Sequence, residues 1–162
     1  MREAQQPGTW DAAAVAAVIG AHESTPGALL PILHAIQDRL GFIPPAAVPA
    51  IADGLNLSRA EVHGVITYYH HFREQPAGRR VVQVCRAEAC QARGGEALAE
   101  HARRALGCEF HATSADGAVT LEPVYCLGHC AVGPNIAIDD RPHARMTPAR
   151  FDTLLATAGG AR

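Results

Sequence analysis

The sequence predicts an α+β protein, with an N-terminal helical bundle over residues 1–75 and an α/β domain over residues 76–162. Three observations lead there. Apolar residues recur at helical spacing as far as Phe72. Glu74-Gln75-Pro76-Ala77-Gly78 then breaks that pattern with proline and glycine. Beyond it, β-branched runs alternate with two helical stretches in the order β-α-β-β-β-α.

Composition bounds the reading. A chain of 162 residues that is 48% hydrophobic and 5% aromatic suits a medium globular protein with a core of Ala, Val, Leu and Ile. A formal charge of −2 and the lack of a Lys/Arg-rich run argue against a nucleic-acid partner. Arg103-Arg104 reads as a solvated helix face, and the nine histidines turn the net charge positive only below roughly pH 6.5. No apolar run reaches the ~18 to 20 residues of a membrane span. The start, Met1 to Pro7, lacks a signal peptide's apolar core. The expectation is a cytoplasmic protein with reduced thiols, in which paired cysteines hold metal more often than a disulfide.

In the front part, Thr9 is a candidate cap for an Ala-rich helix from Asp11 to His22, ended by Ser24-Thr25-Pro26-Gly27. Leu29, Leu30, Leu33, Ile36, Gln37 and Leu40 predict a second helix with Gly41 as its stop. Pro44-Pro45 opens a third through Val48, Ile51 and Ala52, with Pro49 expected to weaken or kink it and Gly54 to end it. Ser58-Arg59-Ala60-Glu61 is a capping box for a fourth helix, Arg59 to about His71, with Val62, Val65, Ile66 and Tyr69 on one face. Tyr68, Tyr69 and Phe72 have two readings, helix packing or an interface with another subunit. His63, His70 and His71 do not converge on one ion. Neighbours on a helix point about 100° apart, and positions seven apart lie about 10 Å along the axis.

In the back part, Arg79 to Val84 predicts a buried strand delivering Cys85. A helix from Gly95 to Leu106 follows, with Ala97, Leu98, His101, Ala102, Ala105 and Leu106 on one side and Gly107 as its stop. Asp116-Gly117 marks a turn, and Ala118 to Tyr125 a second strand running into Cys126. Asn135 to Ile138 and His143 to Met146 are expected as the third and fourth strands. Thr147 caps a last helix, with Pro148 at its first position and Phe151, Leu154 and Leu155 inward.

The chemistry sits in two loops. Cys85 and Cys90 have C-x4-C spacing, Cys126 and Cys130 have C-x3-C spacing, and thirty-five residues separate the pairs. The fifth cysteine, Cys108, reads as an inert thiol. Structural zinc takes four thiolates, commonly from short knuckles, and neither loop is a C-x-x-C. That also removes a thioredoxin-type dithiol. A [2Fe–2S] cluster spans two irons with two thiolates each and tolerates wider loops. The small residues Ala87, Ala89, Gly128, Ala131 and Gly133 let backbone amides approach an anionic cluster. A helix starting just after Cys90 would aim further amides at it. Arg86 and Arg93 are either cations that ease reduction or plain surface charges. His129 is either a hydrogen-bonding neighbour of the ligands or an exposed loop residue.

Taken together, the motifs resemble the thioredoxin-like [2Fe–2S] subunit family of NAD-linked redox complexes. The likeness covers nearly the whole chain after residue 25. It rests on Leu40-Gly41-Phe42-Ile43-Pro44, on Thr67-Tyr68-Tyr69-His70-His71-Phe72, and on the four-cysteine pattern with Thr120-Leu121-Glu122-Pro123-Val124-Tyr125-Cys126-Leu127-Gly128-His129-Cys130. Family members are subunits of respiratory complex I, NAD-reducing hydrogenases and soluble NAD-dependent formate dehydrogenase. Gln91 to Leu98 and Leu121 to Cys126 look most like the gamma subunit of the formate enzyme. His129 and Gly133-Pro134-Asn135 depart from the pattern usual there.

The resemblance implies a thioredoxin-like ferredoxin domain in which Cys85, Cys90, Cys126 and Cys130 bind one [2Fe–2S] cluster. It implies an electron-transfer subunit, itself without catalytic residues, beside a flavin (FMN) and NAD-binding subunit. A large formate-oxidising subunit would carry a molybdenum or tungsten cofactor, with further Fe–S clusters on the partners. The complex would convert formate and NAD+ to CO2 and NADH. No Gly-rich dinucleotide fingerprint follows a strand, so NAD and flavin are expected on the partners. The helical part, Leu29 to Phe72, is expected to dock on the flavoprotein subunit. A zinc-stabilised binding module and a freestanding ferredoxin are the alternatives from other classes.

Overall fold

The computed structural model describes residues 10–22 and 24–160, except for the side chains of 158–160. The chain divides into two compact units, Met1–Pro76 and Ala77–Arg162.

Among the described residues the first unit holds four helices: α1 (Ala12–Ala21), α2 (Leu29–Leu40), α3 (Val48–Leu55) and α4 (Arg59–Tyr68), with a 3-10 turn at Pro45–Ala47 before α3. Thr9 lies outside the described residues; α1 is capped by Asp11, whose carboxylate accepts from the Ala14 amide at 2.9 Å. Gly41 ends α2 at φ 87°, as expected. The expectations for α3 need correction. Pro49 lies in the first turn, where its missing N–H costs nothing. Gly54 lies inside the helix because α1 crosses there: a Cβ on it would stand 2.6 Å from Ile19 Cγ2. Asn56, at φ 52°, makes the stop instead.

Ile32, Leu33, Ile36, Ile51, Val62 and Ile66 fill the core of this unit. Each such side chain contributes about 1.5–3 kcal/mol by leaving water. Gln37 is buried among them because its amide clamps the segment after α4, donating to His71 O and accepting from the Arg73 amide, both at 2.8 Å. That segment is not helical. α4 stops at Tyr68, not near His71, so His70 and His71 follow no helical spacing.

The capping box forms in full: Ser58 Oγ accepts from the Glu61 amide at 3.2 Å, and Glu61 accepts from the Ser58 amide at 2.8 Å. The Ser58 backbone N–H holds the Glu61 carboxyl below its usual range, with the Ser58 hydroxyl adding to the effect. A carboxyl depressed in the fold contributes stability above its unfolded value of 4.5 and loses it as pH falls through the folded value. Ser58→Ala should therefore weaken amide-exchange protection at the start of α4 by about 1 kcal/mol at neutral pH. The difference from the parent should shrink in acid.

The second unit is a five-stranded sheet in the order β2-β3-β1-β4-β5. Its strands are β1 (Arg80–Cys85), β2 (Ala112–Thr113), β3 (Val119–Val124), β4 (Ile136–Ile138) and β5 (Arg141–His143). A short helix α5 (Glu88–Gln91), the long α6 (Gly95–Leu106) and the terminal α7 (Pro148–Gly160) complete it. β1 and β3 run parallel, from Arg80 opposite Val119 to Cys85 opposite Val124. The other pairs are antiparallel. Leu98, Ala99 and Ala102 of α6, Phe151 of α7 and Val82, Leu121 and Ile136 of the sheet form the core. Ala97 and Ala105, expected inward, are exposed, and Ala99 takes the buried position.

β5 also differs from expectation. Asp139 and Asp140 have φ of 48° and 64°, the left-handed pair that closes a two-residue hairpin. β5 therefore starts at Arg141. Arg145, at φ 53°, breaks the extended run, and the Arg145 and Met146 amides donate to Val132 O and Pro134 O at 2.8 and 2.9 Å. The segment expected as a strand instead ties down the loop after Cys130. Thr147 caps α7, its hydroxyl accepting from the Arg150 amide at 3.2 Å.

Candidate metal centre

The parallel register of β1 and β3 builds the site. Because Cys85 is opposite Val124, both strands end at the same edge and both cysteine loops leave from there. The Arg86 amide donates to Val124 O at 2.8 Å and joins the two exits. Cys85 is the last residue of β1, and Cys90 lies within α5; both are 1% exposed. Cys126 and Cys130 lie in the second loop and are exposed.

The sulfurs come as an inner and an outer pair. Cys126 Sγ and Cys130 Sγ are 3.5 Å apart, and the Cys85 and Cys90 thiols are hydrogen-bonded to each other. Cys130 feels the charge of Cys85 and Cys90 that of Cys130, so Cys130 lies within electrostatic reach of the inner pair. Among the described residues, no three His, Cys, Asp or Glu side chains gather round a single point. Burial, followed by the Cys85 hydrogen bond, pushes the Cys90 thiol up. The Gly128 amide, donating at 3.3 Å, pulls Cys126 down, and the Cys130 thiol adds to this. Cys130 rises chiefly because it shares its proton with Cys126. The outer loop thus eases loss of the Cys126 proton, while burial holds the Cys90 proton in place until a metal displaces it.

Two of the expected small residues are seen at work. Cys126 has φ 142°, and Gly128, at φ 77°, turns its amide back to the Cys126 sulfur. A Cβ on Gly133 would lie 3.3 Å from Cys90 Sγ, so any larger residue would press on that sulfur. Gly95 is needed too, since its Cβ would be 2.6 Å from Cys90 O.

The other expectations divide. The long helix begins at Gly95, as expected, behind α5, which carries Cys90, and the left-handed Gly94. The donors to Cys90 come from Asn135, through its backbone amide and its side chain. Arg86 pairs with Glu96 at 2.8 Å and lies over the Phe110 ring, so a local partner offsets its charge. His129 is exposed and turns Nδ1 to Leu127 O at 2.8 Å. Cys108 follows the far end of α6, a helix about 18 Å long by its rise. It belongs to an open hollow lined by Glu100, Arg103, Arg104, Gly107 and Glu109. Asn135 shows in the sequence only as the start of a strand; a polar residue opening an apolar β-run is the one signal it gives there.

The sequence profile of the thioredoxin-like [2Fe-2S] ferredoxin family matches residues 15–159. The chain belongs to that family. This ferredoxin-family chain is 35% identical over 134 residues to an NADH-quinone oxidoreductase subunit of Escherichia coli K12, covering 83% of this chain and 81% of the relative. It is 33% identical over 131 residues to the subunit of the same name from Mycobacterium bovis, covering 81% of this chain and 52% of that longer protein. Its fold matches the crystal structure of an air-oxidized NAD+-reducing [NiFe]-hydrogenase with a TM-score of 0.66 at 24% identity. That match covers 83% of this ferredoxin-family chain and 23% of the hydrogenase chain.

The residues fit the cluster the family is named for. Four sulfur donors in two pairs suit two irons better than one ion. The amides of Gly128 and Asn135 already point at sulfur. Gly133 leaves open the space beside Cys90. No described helix is long and apolar enough to cross a membrane.

Proposed function

We propose that this chain is the [2Fe–2S] electron-transfer subunit of an NAD-dependent formate dehydrogenase complex, with Cys85, Cys90, Cys126 and Cys130 as the cluster ligands. The observation that carries the electron-transfer reading is the meeting of two cysteine pairs at the shared end of β1 and β3. When bound, the cluster supplies one-electron chemistry between a two-electron flavin and other one-electron centres. The chain's own residues do the rest. Val84, Cys85 and Cys90 close the inner side against water. The exposed Cys126–Cys130 loop leaves the other side open to a partner.

The relatives named above are, by their names, subunits of quinone- and hydrogen-linked enzymes that use NAD or NADH, which supports the NAD-linked class. The formate enzyme as parent rests on the resemblance of Gln91–Leu98 and Leu121–Cys126 to its gamma subunit. The partners would be a flavin and NAD-binding subunit and a large formate-oxidising subunit, in the cytoplasm.

The helical unit is the proposed dock for the flavin subunit. Phe72 packs inward at 8% exposed, but Tyr68 and Tyr69 remain 76% and 43% exposed, and Tyr is a residue interfaces favour. Anaerobic purification of the native complex tests both readings. Iron, sulfide, molybdenum or tungsten and formate-dependent NAD+ reduction should co-purify with the chain. Replacing Tyr68 and Tyr69 together by Ala should release the flavin subunit while leaving the cluster's spectrum intact. A complex that reduces NAD+ with hydrogen, or oxidises NADH with quinone, but ignores formate would reassign the parent. Undiminished co-purification of the double variant would reject the docking face.

A further inference from the structure

We infer that Asn135 is a positioning residue for the cluster, tying the inner and outer cysteine loops together and donating a hydrogen bond to the Cys90 sulfur that favours the reduced state. The inference rests on the proposed ligation by Cys85, Cys90, Cys126 and Cys130.

Asn135 is 1% exposed and stands just before β4. Its Nδ2 donates to His129 O at 2.8 Å and to Cys90 Sγ at 3.6 Å. Its backbone carbonyl accepts from the Cys85 amide at 3.0 Å. With its backbone amide, which also addresses Cys90, one residue touches the inner pair three times and the loop that carries the outer pair once.

The orientation of the amide follows from its partners. A carbonyl oxygen at 2.8 Å demands a donor, so the atom facing His129 O is nitrogen. That places both N–H groups, one on the loop and one on the sulfur. Oδ1 is buried without a hydrogen-bond partner among the described residues. The side chain is held by its donors alone, and an unpaired buried carbonyl is a cost the fold bears.

A thiolate on iron gains negative charge when the cluster takes one electron, so a donor to that sulfur stabilises the reduced form more than the oxidised one. No proton needs to leave Asn135. The hydrogen bond only strengthens, and the midpoint potential rises.

The test uses the cluster-loaded full chain. Asn135→Leu removes both side-chain N–H donors at similar volume while keeping the backbone amide, and Asn135→Ala removes them without crowding. In a dithionite titration followed by electron paramagnetic resonance, both midpoints should move negative. At the parent's midpoint, the ratio of reduced to oxidised cluster should fall about tenfold, equivalent to 59 mV for a one-electron couple. A variant that keeps its iron with an unmoved midpoint and spectrum overturns the inference while leaving the ligation intact. A colourless, iron-free parent overturns both.

Should neither variant retain iron, the parent itself carries the test. The chain has two asparagines, Asn56 and Asn135, and Asn56 sits at φ 52°, where glycine is at ease. In an Asn56→Gly background labelled with 15N in the asparagine side-chain amide, pulsed resonance on the reduced cluster should show nitrogen and exchangeable-proton couplings. Absence of the 15N coupling would reject the hydrogen bond, because the Gly128 and Asn135 backbone amides supply exchangeable protons in any case.

Discussion

Cys90→Ala should leave the purified chain colourless and nearly free of iron and sulfide, whereas Cys108→Ser should keep the parent's visible spectrum. The contrast comes from position rather than residue type. Cys90 is 1% exposed, paired with the Cys85 thiol and addressed by Asn135. Without its sulfur, one iron would keep a single thiolate, beside an Asn135 amide that presents N–H donors rather than a ligand. Cys108 lies at the opposite end of α6, where burial raises its thiol and the nearby Glu109 charge adds to the rise. It stays protonated and offers no ligand. Cys126→Ser should weaken the cluster severely while leaving a trace, because serine oxygen is a poorer ligand on the exposed side. The measurement is absorption with iron and sulfide analysis after anaerobic purification. Zinc in place of iron in the parent, or loss of colour only in Cys108→Ser, would overturn the ligand set.

The largest expected change in stability is at Phe151. This side chain is fully buried, packing α7 among the sheet and α6 residues, edge-on to the His101 ring at 5.9 Å. Phe151→Ala removes a large apolar surface and leaves a cavity, a change that costs about 3–5 kcal/mol. The polar link beside it, His101 Nε2 to Asp152 Oδ1 at 2.7 Å, is partly exposed and cannot compensate. Amide-exchange protection of β1 and β3 should fall by that amount, since those strands line the same core. Protection of α2 and α4 in the other unit should stay unchanged. An unchanged β1 would mean that α7 is not part of the cooperative core.

The sequence exposed much of this arrangement, and the misses have physical causes. The two cysteine pairs were legible because each follows a β-branched run, and strands deliver loops to a sheet edge. The ends of α2 and α6 were legible because Gly41 and Gly107 are left-handed stops after a periodic pattern. Gly54 misled because a helix-breaking residue can also serve close packing, here against Ile19. The two-residue β2 has too little chain to show a period. The buried face of α6 was misplaced toward Ala97 because alanine carries little signal of its own, and only the sheet decides that Ala99 points inward. Asn135 could not be found from spacing. Its importance comes from a fold that brings it beside Cys90, and no local pattern encodes that encounter. The four ligands themselves remain part of the proposal.

The parallel register of β1 and β3 also dictates an order of assembly. Parallel neighbours cannot close through a hairpin, so Arg80 meets Val119 only after the whole of α6 has been laid down between them. Such long-range pairing is the slow part of folding, because loop closure precedes any reward from contacts. Until then the inner and outer thiols are strangers on an unfolded chain, each able to capture metal badly or oxidise with the wrong partner. A cell that makes this protein therefore does best to deliver iron and sulfide late, to a sheet already paired.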